Sequence, residues 1–345
     1  MIILLLGHRA MDGMRIGILK AGKGDSLLLS WEGNHMLIDS GTPSTLRKNR
    51  NPSLPPIKDI EFYLLTHIDY DHIGGFLNFL SKAQREDLHP NLLFFGNTLD
   101  LIKYKDNDEV GFNHGSALSV LISTLKLNSK PLYSGDVLSL NNIKLTVLSP
   151  TLEHINLLKE KWIKIEKELN KKDNGNEFVS VHKKKINIDT RVSPHDFVKN
   201  PVNDLLNSTS IACLIEYKNK KALMLGDAHP KIISKELKTI LRNQNIEKLK
   251  IDVVKISHHG SKHNTTSELL SLINCNRFII STDGSRPYNH PDIETIIKII
   301  INAINDGFSK IYFYFNYQFA SEFEIINETE LDIEIFKIVT NEIIL

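Results

Sequence analysis

The residues best suited to chemistry lie in one stretch, Thr66 to Gly75, which reads Thr-His-Ile-Asp-Tyr-Asp-His-Ile-Gly-Gly. Four side chains that can bind a metal ion fall within six positions, namely His67, Asp69, Asp71 and His72. Imidazole and carboxylate groups are the usual protein ligands of catalytic divalent metals. A lone His or Asp is usually a solvated surface residue, but a polar loop does not explain four of them in this order. The stretch therefore predicts a metal site, with ligands enough for two ions.

The segments on either side of this stretch predict how it is held. Phe62 to Leu65 is a short apolar and aromatic run of the size of a buried strand. His67 and Asp69 are two positions apart, so they point the same way in an extended segment. Gly74-Gly75 predicts a turn, and Phe76 to Leu80 predicts the start of a helix. A strand that ends in such a loop directs several ligands to one point.

Further candidate ligands follow two other predicted strands. Asp227 comes two residues after the apolar run that ends at Leu225, and it places a carboxylate at the edge of the predicted sheet. His258 and His259 follow the run Ile251 to Ile256 in the same way. Because neighbouring residues of a strand face opposite ways, we expect only one of these two His to bind metal. We expect that ligand to be His258, with His259 near the substrate.

The motif Thr66 to Gly75 resembles the metal-binding motif of metallo-β-lactamase-fold hydrolases. Most of that superfamily has His where Asp69 stands, and Asp is typical of the branch formed by the soluble domain of ComEC-type competence DNA-uptake proteins. Gly22-Lys23-Gly24-Asp25 and Ile38-Asp39-Ser40-Gly41 resemble two further motifs of this branch. The resemblance covers nearly the whole chain. It implies an α+β fold, the four-layer αββα sandwich of that superfamily.

The resemblance also implies an arrangement of ligands. One ion would be bound by His67 and Asp69, with Asn207 at the place where most of the superfamily has a third His. Asp227 would bridge the two ions, and Asp39 would support ligands without binding metal. The second ion would be bound by Asp71, His72 and His258.

Three residues are expected to take part in the reaction itself. Asp71 is expected to orient the attacking hydroxide, and His259 to lie near the substrate. His290, in a His-Pro pair that matches the family, is a candidate phosphate contact or proton donor. Two divalent ions roughly 3.5–4 Å apart lower the pKa of a bridging water towards 7 and bind both the attacking and the leaving oxygen. The carboxylates and the amide favour Mn²⁺ or Mg²⁺ more than a His-rich site does, and Zn²⁺ remains a close competitor.

Three classes of function follow from these residues and from the resemblance. The first, and the leading one, is a metal-dependent phosphodiesterase, in particular a nuclease with nucleic acid as its substrate. The second is a hydrolase of a small molecule such as a cyclic nucleotide or a lactone. The third is a partner-binding subunit that has lost turnover, although the complete ligand set argues against it. Free-standing hydrolases of this branch often resemble parts of multi-gene systems, including antiphage defence, which implies an ATPase or sensor protein as a partner.

The chain of 345 residues is expected to form one domain over residues 11–345, with a helical and basic insertion at 159–203. Lys and Arg number 42 and Asp and Glu 41, so any surface that binds nucleic acid must be a local patch. The insertion supplies the candidate patch, with Lys171-Lys172 and Lys183-Lys184-Lys185. The alternative is that these lysines belong to a solvated, flexible excursion.

The remaining composition predicts a cytoplasmic protein without contact with a membrane. Cys213 and Cys275 both lie in apolar stretches, which predicts two buried, reduced cysteines. The apolar opening Met1 to Leu6 is too short for the core of a signal peptide. No run approaches the roughly 20 apolar residues that cross a bilayer.

Overall fold

The computed structural model describes residues 13–97, 114–169, 184–192, 194–285 and 288–345. Most strands within these residues form two large sheets. The first has the order β19-β1-β2-β3-β4-β5-β6 and consists of β1 (Arg15–Ile18), β2 (Leu27–Trp31), β3 (Asn34–Ile38), β4 (Phe62–Leu64), β5 (Leu93–Phe95), β6 (Asn128–Lys130) and β19 (Glu342–Ile344).

The second sheet has the order β18-β16-β15-β13-β11-β10-β8-β7. Its strands are β7 (Val137–Leu140), β8 (Ile143–Ser149), β10 (Ala212–Tyr217), β11 (Lys220–Met224), β13 (Val253–Lys255), β15 (Arg277–Ile280), β16 (Lys310–Phe315) and β18 (Glu334–Val339). Two small parallel pairs join β9 (Lys184–Ile186) to β17 (Phe323–Ile325) and β12 (Leu249–Lys250) to β14 (Ile273–Asn274). The helices are α1 (Tyr70–Leu80), α2 (His114–Thr124), α3 (Leu152–Leu169), α4 (Leu205–Ser208), α5 (Pro230–Gln244), α6 (Ser267–Ser271) and α7 (Ile293–Asn305).

Three apolar cores hold these elements in four layers. The middle core lies between the two sheets, where Ile16 and Leu29 of the first pack with Val147 and Ile215 of the second. The outer face of the first sheet packs on α1, α2 and α3. The outer face of the second packs on α5, α6 and α7. The predicted αββα sandwich is therefore confirmed.

The strands that carry the candidate ligands are parallel and end at one edge of the molecule. In the first sheet, β3 pairs in parallel with β4, and β4 with β5. In the second sheet, β11, β13, β15 and β16 are parallel neighbours. The carboxyl ends of parallel strands are where open sheets carry their functional loops. The segments that follow β3, β4, β11 and β13 hold most residues of the candidate site.

The turn predicted at Gly74-Gly75 is not found, because α1 begins earlier and both glycines lie inside it. A Cβ on Gly75 would lie 2.2 Å from the carbonyl oxygen of Ser40, and one on Gly74 would lie 2.9 Å from Pro43 Cδ. The glycines thus allow the helix to pack closely on the loop after β3. As a result, Asp71 and His72 project from the first turn of a helix rather than from a loop.

The basic insertion is only partly described. The helix predicted from Thr151 to Asn170 is found as α3, whereas Lys171, Lys172 and Lys183 lie outside the described residues. The chain beyond them is not a solvated excursion, because β9 pairs with β17 and Ile186 and Ile188 are each only 1% exposed. This part of the insertion therefore belongs to the outer core of the second sheet.

Two predictions about the environment of the chain can be compared with the structure. Cys213 and Cys275 are both buried and free, as expected. Among the described helices, none combines the length and the apolar character that a membrane span requires. The boundaries of a single domain at 11–345 remain a prediction.

Candidate metal centre

Asp39 organises one half of the site from a fully buried position. Its carboxylate accepts hydrogen bonds from the Thr66 backbone N–H and the Thr66 hydroxyl, both at 2.7 Å, and it lies 2.8 Å from His72 Nδ1. The Thr66 hydroxyl also lies 3.0 Å from His67 Nδ1, where it can accept a hydrogen bond. Both imidazoles are thereby held through Nδ1, which leaves the Nε2 lone pairs of His67 and His72 directed into the site. The role predicted for Asp39, support without metal binding, fits this geometry.

Asp227 lies at the centre of the site and is 2% exposed. Its backbone N–H donates to Ser210 Oγ at 3.0 Å, and its carbonyl accepts from Asn264 Nδ2 at 3.0 Å. Four imidazoles surround one oxygen of its carboxylate. The distances from Asp227 Oδ2 are 3.5 Å to His72 Nε2, 3.6 Å to His259 Nε2, and 3.8 Å to the Nε2 atoms of His67 and His258.

The candidate ligands form two groups on either side of Asp227. On one side, Asp69 Oδ2 lies 3.6 Å from His67 Nε2. On the other side, Asp71 Oδ2 lies 3.8 Å from His259 Nε2, and His72 offers a ligand atom to the same group. The centre is thus assembled from both sheets, because His67 and His72 follow β4 whereas Asp227 and His259 follow β11 and β13.

Several buried polar atoms in the centre have no hydrogen-bond partner, which is unusual because buried polar groups are nearly always satisfied. These atoms are His67 Nε2, His72 Nε2, Asp69 Oδ1, Asn207 Oδ1 and Asp227 Oδ1. All five are nitrogen or oxygen atoms able to bind a cation, and they converge around Asp227. The residues present therefore fit a divalent metal ion, and the two groups of ligands fit two ions.

The structure differs from the expectation for the two adjacent histidines. It places His259, rather than His258, with Asp71 and His72. Both residues have a left-handed backbone, with φ of +48° and +56°, so the alternation of an extended strand does not apply. His259 is buried and its Nδ1 lies 2.8 Å from the carbonyl oxygen of Ser281, which fixes its ring.

His258 contacts a different set of side chains. Its Nδ1 lies 3.4 Å from Asn207 Nδ2 and 3.2 Å from Asn264 Oδ1, and its side chain is 23% exposed. Asn207 donates from Nδ2 to Asp204 at 3.0 Å, so its Oδ1 remains available. Asn207 and His258 are therefore neighbours in the centre.

The electrostatics of the centre favour positive charge at its middle. Burial alone would lower the pKa of His72, but Asp227 and Asp39 outweigh it and raise that pKa well above its usual range. Burial likewise opposes ionisation of Asp227, but His258, His259 and His72 hold its pKa well below the usual range. The carboxylates thus stabilise a positive charge next to His72. A bound metal ion would supply that positive charge in place of a proton.

A buried ion pair behind His259 escaped the sequence analysis. Lys255 ends β13, is 1% exposed, and donates to the Asp25 carboxylate and to the carbonyl oxygen of Gly226 at 3.1 Å. The other oxygen of Asp25 lies 3.4 Å from His259 Nδ1. Asp25 entered the prediction only as part of a family motif, and Lys255 not at all. The available signal was a lysine at the end of an otherwise apolar strand.

Gly24 explains how Asp25 reaches this position. A Cβ on Gly24 would lie 1.6 Å from the carbonyl oxygen of Asp71, so only glycine allows the loop between β1 and β2 to touch the start of α1. The loop then places Asp25 between His259 and Lys255. The loop between β1 and β2 therefore also supports the metal centre.

The charges of the centre can be counted. Five carboxylates lie in or next to the centre, with one buried ammonium group beside them. The ammonium is that of Lys255, and the carboxylates are those of Asp25, Asp39, Asp69, Asp71 and Asp227. These carboxylates give the centre an excess of negative charge, which favours the binding of divalent cations.

His290 lies at the rim of the centre. The centroid of its ring is 5.7 Å from that of His258 and 6.5 Å from that of His259, and Tyr288 stacks on it with an interplanar angle of 5°. Burial, together with the neighbouring His258 and His259, lowers the pKa of His290 to about 3. His290 is therefore neutral at neutral pH. A neutral ring fits the predicted phosphate contact, whereas an imidazolium proton donor does not fit this environment.

Comparisons with known proteins give one family match and several similar solved structures. The model of the metallo-beta-lactamase superfamily matches residues 19–93, which include the motif from His67 to His72. The metallo-beta-lactamase fold protein YhfI from Bacillus subtilis is 12% identical over 71% of this chain and 70% of its own, with a TM-score of 0.37. Zn²⁺-bound PqqB from Methylobacterium extorquens is 13% identical over 77% of this chain and 88% of its own, with a TM-score of 0.41. No curated protein matches the chain.

The family match covers residues 19–93, and the four-layer architecture of the described residues is consistent with the fold of that superfamily. None of the matches described above points to the ComEC-type branch, which remains a prediction.

Proposed function

We propose, from the metallo-β-lactamase fold and the donors that converge on Asp227, that the protein is a two-metal hydrolase that cleaves phosphodiester bonds, with nucleic acid as its substrate. The observation that carries the hydrolase proposal is the set of buried, unpaired ligand atoms around Asp227. One ion would be bound by His67, Asp69, Asn207 and His258, and the other by Asp71, His72 and His259, with Asp227 shared. Zn²⁺ and Mn²⁺ are the preferred candidates, and Mg²⁺ suits the carboxylates.

The chemistry assigns a role to each side chain. When bound, two divalent ions activate water near neutral pH and stabilise the charge that develops on phosphate oxygens. Asp71, whose side chain is 33% exposed, accepts a hydrogen bond from the attacking water and so orients it. Neutral His290 donates a hydrogen bond to a phosphate oxygen at the rim. Asp39 and Thr66 keep the His67 and His72 rings in one orientation.

The direct test is hydrolysis by the metal-free protein after addition of Mn²⁺, Mg²⁺ or Zn²⁺. The substrates are single- and double-stranded DNA, RNA, a cyclic nucleotide, a lactone and bis(p-nitrophenyl) phosphate. Asp71→Asn is the matched variant, because it keeps the size of the side chain but weakens its ability to accept a proton or orient water. The proposal is supported if the native protein cleaves phosphodiesters and the Asp71→Asn variant does not. If the metal-loaded protein hydrolyses only the lactone, or nothing, the phosphodiesterase assignment fails.

The nucleic-acid part of the proposal rests on the basic insertion and has its own test. Lys185 is exposed, whereas the Lys184 ammonium is half-buried and donates to the carbonyls of Asn289 and Pro291. A combined replacement of Lys183, Lys184 and Lys185 would therefore also disturb the segment that carries His290. A plot of the logarithm of the DNA-binding constant against the logarithm of the salt concentration has a negative slope. Removal of one lysine that binds a phosphate makes this slope less steep by about 0.9. We expect Lys185→Ala to make the slope less steep and Lys184→Ala to leave the slope unchanged, with binding measured by fluorescence anisotropy.

If the slope for Lys185→Ala equals that of the native protein, this lysine does not contact phosphate. A role in antiphage defence, with an ATPase or sensor partner, follows from the family resemblance alone and is part of the proposal. Identification of the neighbouring genes would test it.

A further inference from the structure

A cavity of about 180 Å³ opens beside His290, away from the ligands. Its walls come from three parts of the chain: the small sheet of β9 and β17, the segment before α7, and the segment before β17. The side chains that matter most are those of Lys184, Ile186, His290, Pro291, Phe319 and Phe323. None of the proposed metal ligands lines the cavity.

The walls of the cavity are apolar, partly aromatic and held by packing. Ile186 and Phe323 are 1% and 3% exposed and belong to the outer core of the second sheet. Pro291 packs on the turn of the two histidines, since a Cβ on Gly260 would lie 2.6 Å from Pro291 Cβ. Phe319 lies against Gly284, where an added Cβ would be 2.5 Å from its ring. A cavity of this construction is preformed.

Polar groups are placed at the edges of these walls. Lys184 is half-buried, and no ion pair joins it to an acidic side chain in the part of the chain that the structure describes. Asn289 and Glu322 also line the cavity and offer hydrogen-bond acceptors. An apolar cavity with a few polar groups at its rim is the usual construction of a site for a ring system that carries polar substituents.

The cavity lies next to the metal centre, with His290 between them. One face of this residue lines the cavity, and its ring lies 5.7 Å from that of His258. A group bound in the cavity therefore lies next to a group bound at the ions. The volume is below the roughly 300 Å³ at which pockets for complete drug-sized ligands begin, so the cavity suits one ring system rather than a whole ligand.

We propose that this cavity binds the planar, heteroaromatic ring of the substrate, a nucleobase, while the adjoining phosphate lies at the metal centre. The inference rests on the proposed function, because that function places the phosphate. Phe319 and Phe323 provide aromatic surface against the ring, and Glu322 and Asn289 accept hydrogen bonds from amino groups on its edge. An unbranched alkyl chain would use the apolar walls but leave these acceptors unpaired.

The test measures binding rather than turnover. AMP, ribose 5-phosphate and hexyl phosphate are titrated into the metal-loaded protein by calorimetry. All three present a phosphate to the ions, and only AMP adds a base. We expect AMP to bind on the order of tenfold tighter than ribose 5-phosphate, since stacking of a base contributes about that much or more. Hexyl phosphate should gain less than AMP does, because its chain leaves the acceptors at the rim unpaired.

Two variants of the cavity make the test specific. Ala320→Leu fills the cavity from a buried position that is remote from the proposed ligands, and it should remove the preference for AMP without changing the binding of ribose 5-phosphate. Phe319→Leu keeps an apolar wall but removes an aromatic ring that is only half-buried, and it should reduce the preference several-fold. Metal content and thermal unfolding of both variants serve as controls.

Several outcomes would overturn the inference. They are equal binding of AMP and ribose 5-phosphate, equal gains for hexyl phosphate and AMP, no binding of any probe, or a preference for AMP that survives in both variants. Failure of the proposed function is separate, because it would appear as an absence of phosphodiester hydrolysis while the preference for AMP remained. Hydrolysis of bis(p-nitrophenyl) phosphate without any preference for a base would overturn the cavity assignment alone.

Discussion

Asp227 is the side chain whose removal should affect the centre most. One of its carboxylate oxygens lies within 3.8 Å of four imidazole nitrogens, so both ions would share it. We expect Asp227→Ala to retain less than one ion per chain, measured by inductively coupled plasma mass spectrometry after dialysis. Asp252→Asn is the control, because Asp252 pairs with Lys220 away from the centre. A full complement of metal in Asp227→Ala would contradict the bridging role.

The two adjacent histidines should differ in which ion they hold. His259→Ala should lose the ion shared with Asp71 and His72, so that calorimetric titration of the metal-free protein finds one strong site rather than two. His258→Ala should keep that ion and weaken the ion on the side of Asn207. The reverse pattern, with the Asp71 ion lost in His258→Ala, would restore the assignment suggested by simple strand alternation.

At the level of elements, the pair of Lys255 and Asp25 links β13 of the second sheet to the loop between β1 and β2 of the first. Lys255→Met would leave the Asp25 carboxylate buried and unpaired, which costs about 3–5 kcal/mol in the free energy of unfolding. The double variant with Asp25→Asn should recover more than half of that loss, because no charge is then left unpaired. Urea unfolding of Lys255→Met, Asp25→Asn and the double variant, each compared with the native protein, measures these losses.

The exposed pair of Lys144 and Glu216 provides the comparison for this prediction. Its ammonium and carboxylate lie 2.9 Å apart, with side chains 54% and 21% exposed. Removing one partner there should cost less than about 1 kcal/mol. If the losses for Lys255→Met and Asp25→Asn simply add in the double variant, the two groups do not stabilise one another.

The sequence allowed the elements around the site to be predicted because they repeat one pattern. An apolar run ends, polar residues follow, and parallel strands bring such ends together, as after β4 and β11. The positions that could not be predicted depend on contacts between distant segments. Gly75 was interpreted as a turn because the contact with Ser40 is invisible in the sequence, and the left-handed backbone at His258 and His259 is set by their surroundings. The Lys255 pair requires knowledge of how the two sheets pack.

At the level of the whole molecule, metal binding should contribute to stability. The proposed ligands come from both sheets, so bound ions join the two halves of the sandwich. Ions present at about 100 times their dissociation constant add roughly 2.7 kcal/mol per site. We therefore expect EDTA to lower the Tm by several degrees, measured by calorimetry, and added Zn²⁺ or Mn²⁺ to restore it.

Asp227→Ala again supplies the control, since chelation should scarcely change its Tm. An equal fall in both proteins would show that EDTA acts elsewhere on the chain.

The contacts of Lys184 give the insertion an influence on chemistry that its sequence does not suggest. From β9, a strand within the basic insertion, its ammonium group donates to the carbonyls of Asn289 and Pro291, the residues on either side of His290. The insertion is therefore in direct contact with the rim of the metal centre. A protein that bound the insertion and displaced β9 would shift His290 and the cavity beside it without touching a metal ligand. The middle lysine of the run Lys183-Lys184-Lys185 thus connects the insertion to the residues on either side of His290.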